Sequence, residues 1–166
     1  MDKISYIEPS ERPDWLKGFI VSAPCNGEIL PLSQHPNPII SNGFMGAGVT
    51  YIPNDNKLSA PIDGSIVEIG PGYSHIKFKT DNGLILILGF IWQVETLMTE
   101  SIQCEVRLKQ KVVKGQTLFR YNQTLFNKAL ANKIGYCTVV NCKGVYIPFY
   151  HKVKTLVDPI FSIRSR

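Results

Sequence analysis

Turn signals recur about every ten residues along the chain, and this spacing restricts the fold more than any other feature. They are short and rich in glycine, as in Ile62-Asp63-Gly64 and Asp81-Asn82-Gly83. Short β-prone runs lie between them, at residues 65–69, 75–79, 84–88, 111–113, 117–120 and 137–140. The alternation predicts an all-β protein, an antiparallel β-sandwich or barrel-sandwich. The clearest helical pattern is at residues 123–133, so we expect one short helix.

A motif that occurs twice points to internal duplication. Residues 23–30 (APCNGEIL) and 60–67 (APIDGSIV) share the pattern A-P-x-x-G-x-I-[LV]. In each copy a proline fixes φ before a turn, a glycine supplies an unusual backbone angle, and an apolar strand follows. We therefore expect Gly64, like Gly83, to lie in a turn with special backbone angles. With the turn at residues 111–118 (KVVKGQTL), the repeat is typical of barrel-sandwich folds of the duplicated hybrid type.

The apolar run at residues 84–88 (LILIL) looks like a strand that is buried on both faces, and Gly89 follows directly. A glycine inside a strand weakens it, and usually marks a bulge or a close approach by another group. The sequence therefore predicts a specific structural reason for Gly89.

Composition bounds the class of protein. With 166 residues, of which 44% are apolar and 19% charged, the chain is predicted to be one folded domain, alone or with an arm. The start lacks an apolar signal segment, and no apolar run reaches the roughly 18 residues that span a membrane. We therefore expect a cytoplasmic protein without a membrane span. The net charge of +5 comes without a nucleic-acid-binding motif, which favours a solvated basic face over a nucleic-acid partner.

The sequence predicts neither a cofactor nor a metal. Two other barrel-sandwich classes need residues that this chain does not offer. A zinc peptidase needs H-x-H with a further histidine and an aspartate, and the three histidines here are widely scattered. A biotin or lipoyl carrier needs a lysine at a hairpin tip. Lys57 matches that position only weakly, because it lacks the Met-Lys-Met context. The cysteines lack C-x-x-C spacing, so we expect small buried or half-buried side chains without disulfides at Cys25, Cys104, Cys137 and Cys142.

Residues 23–69 carry a longer series of motifs. After the first A-P-x-x-G-x-I come a G-x-G before a strand at residues 46–48, and K-x-x-A-P-x-D-G-x-I from Lys57 onward. In this order, the motifs resemble the glucose-type IIA domain of the bacterial phosphoenolpyruvate-dependent sugar phosphotransferase system. The resemblance extends over residues 19–163, and it implies an N-terminal arm at residues 1–18 followed by a IIA-like domain at residues 19–166.

The resemblance implies a site with two histidines that face each other across the sheet. One accepts a phosphoryl group from the phosphocarrier protein HPr and passes it to the IIB domain, and the other hydrogen-bonds the phosphoryl oxygens. The pattern of the accepting histidine, [ST]-D-x-G-x-E-[IL]-[LFV]-[IV]-H, falls on residues 80–89 and puts Gly89 at the histidine. The pattern of its partner, H-A-[IF]-x-[IL]-x-[ST]-D-x-G, puts Ser74 at the histidine. We therefore expect no catalytic residue, with Ser74 and Gly89 side by side on facing strands and their Cα atoms within about 10 Å.

His75 comes one residue after the partner position and is the fallback candidate. Side chains alternate along a strand, so we expect His75 to share a face with Lys77 and Lys79 and to point away from the site. There it would lack a partner to orient it, although a bulge could rotate it back. The remaining histidines are expected to be loop or surface residues: His35 and His151.

The loss of both histidines implies a non-catalytic IIA-like protein, a pseudo-phosphotransferase that binds a partner through the former active-site face and regulates sugar uptake. The implied partner is a sugar transporter, another component of the system or a metabolic enzyme, and a small ligand could use the vacated pocket. A docking face needs an apolar patch with a polar rim. The alternative is a functional phosphocarrier with a rearranged site that uses His75. The predicted partner-binding residues are Ile39, Ile40, Phe44, Met45, Phe78, Phe90 and Trp92.

Overall fold

A computed structural model describes residues 19–89, 102–128, 133–142, 144–147, 152–155 and 158–163. Over these residues the first seven strands are β1 (Phe19–Ser22), β2 (Gly27–Pro31), β3 (Ala47–Pro53), β4 (Lys57–Ser59), β5 (Gly64–Ile69), β6 (His75–Lys79) and β7 (Ile85–Gly89). The other seven are β8 (Ile102–Cys104), β9 (Lys111–Val112), β10 (Thr117–Tyr121), β11 (Gly135–Val139), β12 (Val145–Tyr146), β13 (Lys152–Val153) and β14 (Pro159–Ile163). The α-helices in these described ranges are α1 (Pro38–Ser41) and α2 (Gln123–Lys128).

The strands form one large sheet and two small ones, and every pairing in the described residues is antiparallel. The large sheet has eight strands in the order β13-β2-β3-β11-β7-β6-β5-β9, and the small sheets have the orders β1-β14-β12 and β4-β10-β8. The predicted all-β antiparallel sandwich is therefore confirmed.

The repeated motif builds two equivalent halves. The N–H of Ser22 donates to the carbonyl of Pro61 (3.1 Å), and the N–H of Ser59 donates to the carbonyl of Pro24 (2.8 Å). These two bonds are the same bond in the two copies, because Ala23 and Ala60 occupy the same motif position. The large sheet has the same strand arrangement when followed inward from either edge. The order is β13-β2-β3-β11 from one edge and β9-β5-β6-β7 from the other. Strands β11 and β7 consequently meet at the centre.

The core lies between the inward face of the large sheet and the small sheets. Alternate residues of β6 and β7 point into it, and Ile76, Phe78, Leu86 and Leu88 are all fully buried. Each such side chain contributes about 1.5–3 kcal/mol through removal from water. Because Phe78 belongs to this inward set, the prediction that it lines a docking surface is wrong.

Of the two glycines predicted to have special backbone angles, Gly83 has one and Gly64 does not. Gly83 has φ +85°, as expected for its turn. Gly64 has no special angle. It begins β5, where a Cβ would lie 2.9 Å from the carbonyl oxygen of Lys79. The glycine there allows close approach of two strands, and the prediction of an unusual backbone angle is wrong.

The expected helix is present as α2, and residues 129–132 of the predicted span lie outside the described part. A second helical turn, α1, was missed. The side chain of Asn37 accepts the N–H of Ile39 (3.0 Å), and Pro38 occupies the first helical position. Asparagine at the N-cap followed by proline is a known helix-start pattern, so the signal was in the sequence.

Candidate functional site

The candidate site lies on the outward face of the large sheet, where β11, β7 and β6 run side by side. The register pairs Tyr136 with Gly89, and Gly89 with His75. Directly paired residues point to the same face, so three rows of side chains cross these strands. We refer to them as the outer rows: Tyr136, Gly89 and His75; Thr138, Ile87 and Lys77; Val140, Ile85 and Lys79.

The position of Gly89 is covered by the ring of Tyr136. A Cβ added to Gly89 would lie 1.9 Å from Cε1 and 2.4 Å from Cζ of that ring, well inside van der Waals contact. The space that a histidine would need here is therefore filled. Of the two explanations predicted for this glycine, close approach by another group is the correct one.

Tyr136 is held in place by a small apolar cluster on the outward face. Its ring packs with Leu32, Ile40 and Ile87, and Met45 packs against the same cluster. Burial is the main cause that raises the pKa of Tyr136 to about 12, so the phenol is neutral at physiological pH. The cluster closes the centre of the face with an uncharged aromatic group.

His35 supports this cluster from the loop above it. Its ring meets the Tyr136 ring edge to face, with centroids 5.5 Å apart and an angle of 85° between planes. Its Nδ1 accepts the N–H of Asn37 at 3.1 Å, so the neutral ring carries its proton on Nε2. Burial lowers the pKa of His35 to about 4. His35 lies in a loop, as one form of the expectation had it, but it is only 4% exposed and is therefore not a surface residue. His151 lies outside the described residues.

His75 points to the same side as Gly89, which corrects the expectation that it turns away. Its Nε2 lies 2.5 Å from Oε1 of Glu68, while Oε2 of Glu68 accepts from Nζ of Lys77 at 2.9 Å. The hydrogen bond from His75 and then that from Lys77 lower the pKa of Glu68. His75 thus has the orienting partner that the sequence did not predict. As expected, it shares a face with Lys77 and Lys79, but that face is the site face.

The backbone before β6 explains the error in facing. The segment Pro71–Tyr73 is a 3-10 turn in which Gly72 and Tyr73 have φ of +60° and +56°. Ser74 ends this turn with φ −68° and ψ −33°, so it is not part of the strand and the strand alternation does not extend to it. Its Oγ lies 3.2 Å from Nδ1 of His75.

Ser74 is nevertheless close to Gly89. The Cα atoms of a directly paired His75 and Gly89 lie about 4.5–5.5 Å apart, and consecutive Cα atoms are about 3.8 Å apart. The Cα atoms of Ser74 and Gly89 are therefore separated by at most about 9 Å, which agrees with the expected limit. The residue that stands beside Gly89 across the strands, however, is His75.

The predicted partner-binding residues divide into exposed and buried ones. Ile39 is 54% and Phe44 is 67% exposed, whereas Ile40 is buried and Met45 half-buried in the cluster around Tyr136. Consecutive residues point in different directions on a helical turn, and α1 therefore separates Ile39 from Ile40. Phe90 and Trp92 lie outside the described residues. Val140, which is 48% exposed beside Ile85, was not predicted.

The cysteines take the predicted positions. All four thiols are free, with Cys25 and Cys137 buried and Cys104 and Cys142 half-buried. Burial raises the pKa of Cys25 and of Cys137 well above the ordinary value.

Across the described part of the chain, no group of three His, Cys, Asp or Glu side chains comes together to hold a metal ion. No helix in that part is long and apolar enough to cross a membrane.

An internally duplicated antiparallel sandwich with its site on the central outward strands defines the class of fold. The glucose permease IIA from Mycoplasma capricolum has the same fold, with a TM-score of 0.76 and 21% sequence identity over 87% of this chain and 94% of that one.

The sequence comparison is more specific. Residues 19–145 match the family model described as phosphoenolpyruvate-dependent sugar phosphotransferase system, EIIA 1. This chain therefore belongs to the EIIA 1 family, as the motifs indicated. A curated relative is the PTS system glucose-specific EIICBA component of Staphylococcus saprophyticus, 35% identical over 100 residues, or 60% of this chain. That match spans only 15% of the relative's length.

Proposed function

We propose that this member of the EIIA 1 family does not carry a phosphoryl group at the usual position, and that it acts by binding a protein partner through its outward face. The observation that supports this most is the pair formed by Gly89 and Tyr136. The family pattern places the phosphoryl-accepting histidine at residue 89, and here a glycine stands beneath an aromatic ring. A glycine has no nucleophile, and a neutral phenol with a pKa of about 12 is a poor substitute.

The exposed apolar side chains beside the site support the binding role. Ile39 and Phe44 project from the segment that covers Tyr136, and Val140 adds a third apolar side chain. An apolar patch of this kind next to charged residues is typical of docking surfaces. We propose a sugar transporter, another component of the phosphotransferase system or an enzyme of sugar metabolism as the partner, with the cytoplasm as the place of action.

A phosphoryl-transfer assay tests the loss of carrier activity. The protein is incubated with labelled phosphoenolpyruvate, enzyme I and HPr, and a IIA domain with both histidines serves as the positive control. We expect an acid-labile label on the control and none on this protein. Stoichiometric labelling of the unmodified protein would contradict the proposal.

One observation favours the alternative, a phosphocarrier that uses His75. The bond between His75 and Glu68 orients the imidazole as catalytic histidines are commonly oriented by carboxylates, with Nδ1 left beside the Ser74 hydroxyl. If the alternative holds, the label appears on the unmodified protein, disappears in His75→Ala and weakens in Glu68→Gln. Lys152→Gln, at the far edge of the large sheet, is the matched control and should label like the parent.

The prediction that a small ligand uses the vacated pocket has less support than the prediction of a protein partner. The ring of Tyr136 fills the space over Gly89, so a ligand there would have to displace a side chain that is packed on three apolar neighbours.

A further inference from the structure

We propose that the partner of the outward face is a protein whose contact surface is acidic and borders an apolar contact. This inference rests on the proposed function, because it concerns the chemistry of the partner at the same face. It comes from the separation of charged and apolar residues across the outer rows.

The basic half of the face is the outward side of β6. His75, Lys77 and Lys79 follow one another there, one in each outer row. The third row continues, because Lys79 pairs with Ser65 and Ser65 pairs with Lys111. With Ile85 on β7 and Val140 just past the end of β11, this row is a line of five side chains about 19 Å long, and lysines occupy two of its positions.

The acidic group that faces this half does not neutralise it. Glu68 is engaged by His75 and Lys77. Lys79 and Lys111 are exposed, and within the described part of the chain neither forms an ion pair. The turn before β9 adds exposed Arg107 and Lys109, and is fixed to β5 by the bond from the N–H of Lys109 to the carbonyl of Ile66 (2.8 Å). This edge of the sheet therefore has an excess of positive charge.

The apolar half lies on the other side of the same rows. Val140 and Ile85 continue the line of Lys79, and the N–H of Val140 donates to the carbonyl of Ile85 (3.0 Å). A Cβ on Gly46 would lie 3.2 Å from Cα of Val140, so the segment that carries exposed Phe44 adjoins this end of the row. A partner that covers the whole face must offer carboxylates on one side and apolar side chains on the other. A protein offers both, whereas the phosphate surface of a nucleic acid offers only the first.

Three probes of equal negative charge test this inference by fluorescence anisotropy at low and at physiological ionic strength. They are a peptide with leucines between its glutamates, a polyglutamate and a DNA duplex. We expect the mixed peptide to bind most tightly. The Lys79→Glu, Lys111→Glu double variant should weaken it about tenfold, as removal and reversal of two exposed charges predicts. Phe44→Ser should weaken the mixed peptide and leave polyglutamate unchanged.

Lys152→Glu is the control for charge reversal at a remote site, because Lys152 is an exposed lysine on the opposite edge of the same sheet, and it should bind like the parent. The Lys79→Gln, Lys111→Gln variant replaces the double Glu variant if that one fails to fold. Three results would each overturn the inference. DNA could bind more tightly than the mixed peptide, Lys152→Glu could lower the affinity for the mixed peptide as much as the double lysine variant does, or the mixed peptide could fail to bind at all. The labelling assay reports on phosphoryl transfer independently, so failure here is distinguishable from failure of the proposed function.

Discussion

Gly89→Ala tests whether Tyr136 is the reason for the glycine, and even the sign of the effect is informative. In a strand with free space, alanine stabilises relative to glycine by about 0.5–1 kcal/mol, because the unfolded glycine has more conformational freedom to lose. Here the new Cβ would stand 1.9 Å from Cε1 of Tyr136. The ring must move out of its cluster, and overpacking of this kind costs about 1–3 kcal/mol. We expect a loss of about 2 kcal/mol in the free energy of unfolding, or about 4–8 °C in Tm.

A double-mutant cycle isolates that contact. Tyr136→Ala alone should destabilise by about 3 kcal/mol or more through loss of the buried ring. Adding Gly89→Ala to Tyr136→Ala should then cost nothing or stabilise slightly, so the two changes couple by about 2–3 kcal/mol. Urea denaturation of the four proteins provides the free energies. If Gly89→Ala alone is neutral or stabilising, or costs the same with and without the ring, steric exclusion by Tyr136 is refuted.

Three other predictions concern the same region. The pKa of His35 is about 4 in the fold against about 6.5 when unfolded, so stability is fully present above pH 6.5 and falls by about 3 kcal/mol as pH drops toward 4. Urea midpoints across this range should show the fall, and the same fall in His35→Gln would assign it elsewhere. Asn37→Ala should cost about 1 kcal/mol by removing the cap of α1, against no more than about 0.5 kcal/mol for exposed Ser33→Ala. The Ser74→His, Gly89→His variant should label weakly at most with phosphoenolpyruvate, enzyme I and HPr, and a further Tyr136→Ala should raise the labelling; equal labelling with and without the ring would count against the steric explanation.

Local chemistry explains what could be predicted of the fold. Turn glycines such as Gly83 and the β-prone runs between turns act within a few residues of each other, so strand positions followed from the sequence. The helical turn α1 was missed although Asn37 and Pro38 signal it, because it has only four residues and shows no helical period. Without that turn, the sequence predicts both Ile39 and Ile40 at the surface.

The sequence predicted where the site lies, but it did not predict which side chains occupy it. The motif alignment located Gly89, and its lack of a side chain correctly indicated a close approach. The group that approaches, Tyr136, comes from a strand that is distant in the sequence, and only the sheet order brings them together. The facing of His75 depends on the 3-10 turn at Pro71–Tyr73, where Tyr73 adopts a positive φ that non-glycine residues seldom take. No pattern of residue types predicts a positive φ at Tyr73.

The order of the strands in the duplicated architecture also constrains folding. Strand β11 fills the gap between β3 and β7, and it pairs with both. The contact with β3 closes a loop of about half of the chain, and long closures of this kind slow folding to the millisecond-to-second range. Until β11 arrives, each half presents an open edge with unpaired N–H and carbonyl groups beside apolar side chains. Such edges pair readily with other chains, so we expect aggregation during synthesis to be favoured until residues 135–139 have emerged.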